Sequence, residues 1–146
     1  MILAYLAALA ATRISEAPQA FIHRIYAGYA RKNYDSLRHI DLIFSPDLGA
    51  AIRTDERLAK GEVGYLDGDP LCDCQDHGKL TARIRALNLP TRTSAIATMH
   101  VDFGTGETKE LRLKLVLGRH GWRVADIVSS DGTSLLAELN RANRTR

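Results

Sequence analysis

Only two of the 146 residues are cysteine, one is tryptophan and four are proline. Two cysteines are too few for a disulfide-dense scaffold, and a chain of this length buries a core without such staples. They fit a reducing or an oxidising compartment equally well. No apolar run reaches the roughly eighteen residues that a membrane helix needs, which excludes a polytopic membrane protein. The chain has no glycine-rich phosphate loop, no Gly-x-Ser-x-Gly elbow and no His-Glu-x-x-His helix. ATPase, dinucleotide dehydrogenase, lipase and zincin readings lose their basis with them. Internal repeats, low-complexity tracts and linkers are missing too.

What is present is the composition of an ordinary globular protein, 45% hydrophobic and 25% charged, which rules out disorder. The net charge is +3, unevenly spread. Residues 1–75 hold 8 Lys/Arg against 10 Asp/Glu, and residues 76–146 hold 12 against 7. Arg141, Arg144 and Arg146 close the chain. The internal arginines stand singly between apolar residues, as on the solvent face of a sheet. A nucleic-acid binder would instead show a basic stripe interleaved with aromatics, so no nucleic-acid partner is expected.

Residues 2–11, ILAYLAALAA, carry no charge, and Ala8-Leu9-Ala10 offers the small-x-small pattern of a signal-peptidase site. No basic residue precedes the run. Read as a signal segment over residues 1–11, it places the rest of the chain in the periplasm or outside the cell. Read as the opening turns of a helix, it leaves the protein in the cytoplasm. No cysteine follows it to carry a lipid anchor. The remainder, residues 12–146, is expected to form a single α+β domain.

The hydrophobic period changes once along the chain. Pro18 suits a first helical turn, and Phe21, Ile22, Ile25, Tyr26 and Tyr29 then mark one face of a helix running to about Arg31. Ser45-Pro46-Asp47 starts a second helix on Leu48, Ala51, Ile52 and Leu58 that Gly61 ends, and residues 37–44 hold a short helix or connection between them. Residues 61–78 read as loop. From Leu80 the period is two: strands over 80–86, closed by Pro90, over 95–103, over 111–117 and over 122–127. Gly104-Thr105-Gly106 and His120-Gly121 supply hairpin turns, and Asp131–Ser134 caps a last helix. Helices followed by hairpin-linked strands predict an α+β fold, N-terminal helices on an antiparallel sheet of about four strands with a short C-terminal helix.

Three elements in this order carry a resemblance: Asp69-Pro70-x4-Gln75-Asp76, Gly121-Trp122-Arg123-Val124-x-Asp126, and Ser134-Leu135-Leu136, behind a Phe21-x4-Tyr26-x2-Tyr29 helix. Over residues 18–140 the chain is similar to a bacterial family of small, mostly exported proteins with an uncharacterised domain. The resemblance implies the nuclear-transport-factor-two-like, or cystatin-like, architecture, in which a curved sheet wraps the first helix into a cone. That superfamily includes isomerases, dehydratases, secretion-machine subunits and interaction modules, so the fold names no activity.

Chemistry concentrates in one loop. Cys72, Cys74 and His77 could give three soft ligands to zinc, although the spacing is not that of a structural zinc site. A Cys72–Cys74 bridge in an oxidising compartment would close a very tight, strained ring, so the leading reading is two cysteines packed in a structured loop, at least one of them buried. Asp69, Gln75 and His77 are candidate binding residues. The rival reading makes Asp69, Gln75 and Asp76 turn-formers that bond main-chain atoms and tie the loop down. Asp76 with Tyr26 or Tyr29 is the candidate catalytic set: a desolvated carboxylate as base and a phenol as oxyanion donor, the pair that proton abstraction beside a carbonyl requires. His100 and Asp102 share one strand face, with no nucleophile placed beside them, and Trp122 reads as a core or rim anchor. No cofactor is expected. The leading functional expectation is a non-enzymatic protein-binding or accessory module of the cell envelope, an immunity-type protein being a special case and a homodimer compatible with it. The alternative is a small isomerase or dehydratase.

Overall fold

A computed structural model of the chain describes residues 15–146; the signal segment expected over residues 1–11 lies outside the described residues. Helix α1 (Pro18–Ala27) starts with proline at N1, where a missing N–H leaves no bond unmade. Its buried stripe of Phe21, Ile22, Ile25 and Tyr26 continues into a 3-10 turn, Gly28–Ala30, that carries Tyr29. Trp122 Nε1 donates to the Glu16 carbonyl at 2.8 Å and so pins the start of this helix to the fourth strand.

The connection expected at residues 37–44 is a 3-10 turn, Ser36–His39, followed by the one-turn helix α2 (Ile40–Ile43). The Asp35 carboxylate begins it by accepting the Leu37 N–H at 2.9 Å. Helix α3 (Pro46–Ala59) is capped by Ser45, whose hydroxyl accepts from the Leu48 N–H at 3.3 Å. It stops where Lys60 and then Gly61 turn left-handed, at φ 51° and 87°.

Four strands follow: β1 (Thr81–Thr91), β2 (Ser94–Asp102), β3 (Thr108–Gly118) and β4 (Gly121–Ser129). They form one antiparallel sheet in the order β1-β2-β3-β4. Ala95, Ala97, Met99 and Val101 of β2 and Leu111, Leu113 and Leu115 of β3 face the core, as the period of two predicts. Arg83, His100 and Glu110 align across the opposite face. The boundary that departs furthest from expectation is at Pro90, which does not close β1. The strand runs on to Thr91, and the register with β2 shifts between Asn88 and Thr91, so no ladder bond is asked of the proline. An edge strand permits this, because its outer side pairs with nothing in the sheet.

Helix α4 (Leu135–Thr145) is capped by Ser134, which accepts from the Ala137 N–H at 3.1 Å. It is fastened to β4 by Asp126, whose carboxylate receives the Ser134 hydroxyl at 2.6 Å and the Leu136 N–H at 3.0 Å. Asn143 donates to the Ala51 carbonyl at 3.0 Å and joins α4 to α3. The architecture is α+β, with N-terminal helices, a four-stranded antiparallel sheet and a C-terminal helix packed on it.

Candidate functional site

The segment between α3 and β1 holds no regular element longer than a bridge, so its backbone groups depend on side chains brought from elsewhere. Asp69, a residue of the segment itself, ties it to the N-terminal elements. Its carboxylate accepts the Tyr29 hydroxyl at 2.6 Å, the Ser36 hydroxyl at 2.5 Å, the Ser36 N–H at 3.0 Å and the Leu71 N–H at 3.0 Å. Its backbone closes a tight turn, with N–H to the Cys74 carbonyl at 2.8 Å. Tyr26, one helical turn before Tyr29, donates to the Leu71 carbonyl at 2.7 Å. Burial, and then the negative charge of Asp69, push both phenols well above the usual tyrosine range. Each hydroxyl is therefore a neutral donor already committed to the loop.

Asp55 does the same at the other end. It lies in α3 at 3% exposure and receives the Tyr65 N–H at 2.9 Å and the Leu66 N–H at 3.0 Å, along with the Arg146 guanidinium. Gly64 lets the loop approach this closely, since a Cβ there would lie 2.4 Å from Asp55 Oδ2. No loop motif announced Asp55. The signal was its place in the helix, three residues after Ile52 and four after Ala51 on the apolar stripe, where a carboxylate must find internal donors.

Cys72 and Cys74 are joined by a disulfide. This corrects the zinc reading of Cys72, Cys74 and His77, because thiolates are the ligands and these sulfurs are bonded to each other. Among the described residues no group of three His, Cys, Asp or Glu side chains could hold a metal ion. Cys72 is fully buried, Cys74 half-buried. Lys109 of β3 reaches the Asp73 carbonyl, and also its carboxylate at 3.2 Å, which fastens this turn to the sheet.

The remaining candidates divide between two clefts. Asp76 is exposed and accepts the Gly78 N–H at 3.0 Å. It lines a cleft of about 820 Å³ with Tyr26, Tyr29, Leu80 and Ala82. The three residues of the catalytic reading thus share one cavity. They do not form the expected pair, because both hydroxyls are turned to the loop and the carboxylate keeps its water. Asp69, Gln75 and His77 instead line a larger cleft of about 910 Å³ between the end of α3, the Ser36–Ile40 turn and the loop. Gln75 is exposed there, with no side-chain hydrogen bond among the described residues. His77 is 8% exposed and packs edge-on against the Tyr29 ring. Its Nδ1 lies 3.0 Å from the Gly78 carbonyl, while Nε2 has no partner among the described residues. His100 and Asp102 sit on the outward sheet face, opposite Arg83 and Thr81 of β1, with Asp102 accepting the Gly104 N–H at 2.8 Å.

No family model matches the chain. Its sequence marks it as a homologue of the uncharacterized protein YqhG of Escherichia coli (strain K12), to which it is 30% identical over 154 residues. The match takes in 98% of this chain and 50% of the relative, so the chain spans half the length of the curated relative it matches. Among solved structures it is similar to a phospholipid-binding protein from Ralstonia solanacearum, at 14% identity and a TM-score of 0.42, over 81% of this chain and 58% of that one.

Proposed function

We propose that this chain is a non-catalytic protein-binding or accessory module of the bacterial cell envelope, and that it engages its partner through the 910 Å³ cleft beside α3. One contrast carries the reading. The groups fit for acid–base chemistry, buried Tyr26 and Tyr29 and half-buried Asp69, are spent on holding the loop, while the cleft beside them stays open with apolar side chains in its wall. Val63 is 76% exposed at its rim, and Leu66 and Ile40 are half-buried within it. Exposed apolar groups ringed by charge are the common make-up of a recognition surface. The Cys72–Cys74 disulfide and the uncharged run at residues 2–11 support an oxidising, extracytoplasmic compartment. The motifs at Asp69–Asp76 and Gly121–Asp126 support membership of the family of small exported proteins, with its nuclear-transport-factor-two-like architecture.

A photo-activated cross-linking residue placed at Val63, in cells that make the protein, tests this. One adduct of defined mass is expected from Val63 and none from a control at Thr108 on the sheet. Equal labelling from both positions, or from neither, would overturn the assignment. An isomerase or dehydratase ranks second, on the single observation that Asp76, Tyr26 and Tyr29 line one cavity. Turnover of a carbonyl substrate that Asp76→Asn abolishes would reverse the order.

A further inference from the structure

We infer that the Cys72–Cys74 bond is a thiol–disulfide exchange site: a dithiol reduces it by attack on Cys74 Sγ, with Cys72 Sγ as the leaving group. The inference does not depend on what else binds the cleft. The first observation is the residue between the two sulfurs. Asp73 has φ 49°, one of two non-glycine residues among those described that turn left-handed. A side chain in that region costs energy, and such a residue persists only where its surroundings hold it. The disulfide is one restraint, since Asp73 is the only residue between the bonded cysteines. Lys109 of β3 is another, holding the Asp73 carbonyl and carboxylate from the sheet. Breaking the sulfur bond removes the first restraint and lets the backbone relax, which favours reduction.

The second observation is unequal burial. Cys72 is fully buried, whereas Cys74 is half-buried and lines the open cleft beside α3, so the surface offered to an entering thiolate is on Cys74. The third is that the turn does not need the bond. The Asp69 carbonyl accepts the Cys72 and Cys74 N–H groups at 3.3 Å each, and the Asp69 N–H donates to the Cys74 carbonyl. The same Asp69 carbonyl lies 3.5 Å from Cys72 Sγ, placed to accept from the thiol once it forms. In the first step the dithiol's thiolate bonds to Cys74 Sγ, and the electron pair of the Cys72–Cys74 bond leaves on Cys72 Sγ, which takes a proton from water. The second thiolate of the reductant then attacks its own sulfur in the mixed disulfide and releases Cys74. Two electrons and two protons pass to the protein, and the dithiol leaves as a disulfide.

The test uses the whole oxidised protein, with free thiols counted by alkylation and mass spectrometry after acid quenching. In a glutathione buffer at cytosolic poise, which spares structural disulfides, at least half of the Cys72–Cys74 pairs should become thiols. The rate of reduction should not change with urea below the unfolding transition. Brief alkylation of the reduced, folded protein should label Cys74 before Cys72. Asp73→Gly and Asp73→Val both lose the carboxylate contact with Lys109, so they differ only in how well position 73 turns left-handed. The glycine variant should be several-fold harder to reduce than the valine variant. Thioredoxin reacting at least about tenfold faster than dithiothreitol at equal dithiol concentration would assign the reductant to a protein, and equal rates would assign it to a small dithiol. A bond that stays oxidised in the glutathione buffer, or that is reduced only as fast as the fold opens, would overturn the inference. So would equal reduction of the two Asp73 variants. Labelling of Cys72 ahead of Cys74 would overturn the choice of attacked sulfur.

Discussion

Asp69 and Asp76 lie seven residues apart in one loop, yet their carboxylates do opposite amounts of work. Asp69 holds four donors from three segments, whereas exposed Asp76 holds one from its own turn. Replacing Asp69 by alanine strands Tyr29 and Ser36 and should cost about 2–4 kcal/mol in urea denaturation. Asp76→Ala should stay within about 0.5 kcal/mol, as surface changes do. The two tyrosines make stability depend on alkaline pH. In the unfolded chain they ionise near about pH 10, while in the fold burial and Asp69 keep them protonated well beyond that. Above pH 10 the native state thus binds more protons than the unfolded one. Stability should be flat below that point and then fall by up to about 1.4 kcal/mol per tyrosine for each further pH unit. Denaturant titrations from pH 8 to about 11 check this, and Tyr26→Phe should flatten the slope. Asp-Pro at 69–70 was legible as a turn because the residue types carry the geometry. That its carboxylate also gathers Tyr29 and Ser36 was not, since those partners sit 40 and 33 positions away.

At the scale of elements, the period of two placed all four strands, proline in the first turn placed the start of α1, and capping residues placed those of α3 and α4, because those signals are local. Pro90 misled, since whether a proline ends a strand depends on whether the strand lies at an edge, and order in a sheet is a tertiary fact. The loop shows the same limit. Its composition announces the absence of helix or strand but not the cleft it builds with α3. Its disulfide spans only residues 72–74, so the closed ring removes little chain entropy. Reduction with dithiothreitol should lower stability by about 1.5 kcal/mol and leave the chain folded. EDTA should leave Tm unmoved, since neither sulfur is free to hold a metal. A chelator-sensitive Tm would require ligands outside this loop.

Across the whole molecule, charge is segregated by surface. Arg83, Arg85, Arg112 and Lys114 project from the strands, while the cleft by α3 gathers carboxylates. A cationic partner would be drawn to one side of the protein and repelled from the other. Its association rate, measured by stopped flow, should fall steeply between about 0.05 and about 0.5 M salt while its dissociation rate changes little. The order of the strands has a further consequence, for synthesis rather than for binding. Each strand pairs only with its neighbours in the chain, so the sheet assembles from three successive hairpins over residues 81–129. The N-terminal helices that cover it are translated first, and their apolar stripes lack the finished sheet to lie against until the last hairpin is made. A ribosome that has finished α3 therefore presents a sticky, unpaired chain for the time it takes to build the whole sheet. That interval is when a holdase or a translocase would find it unfolded.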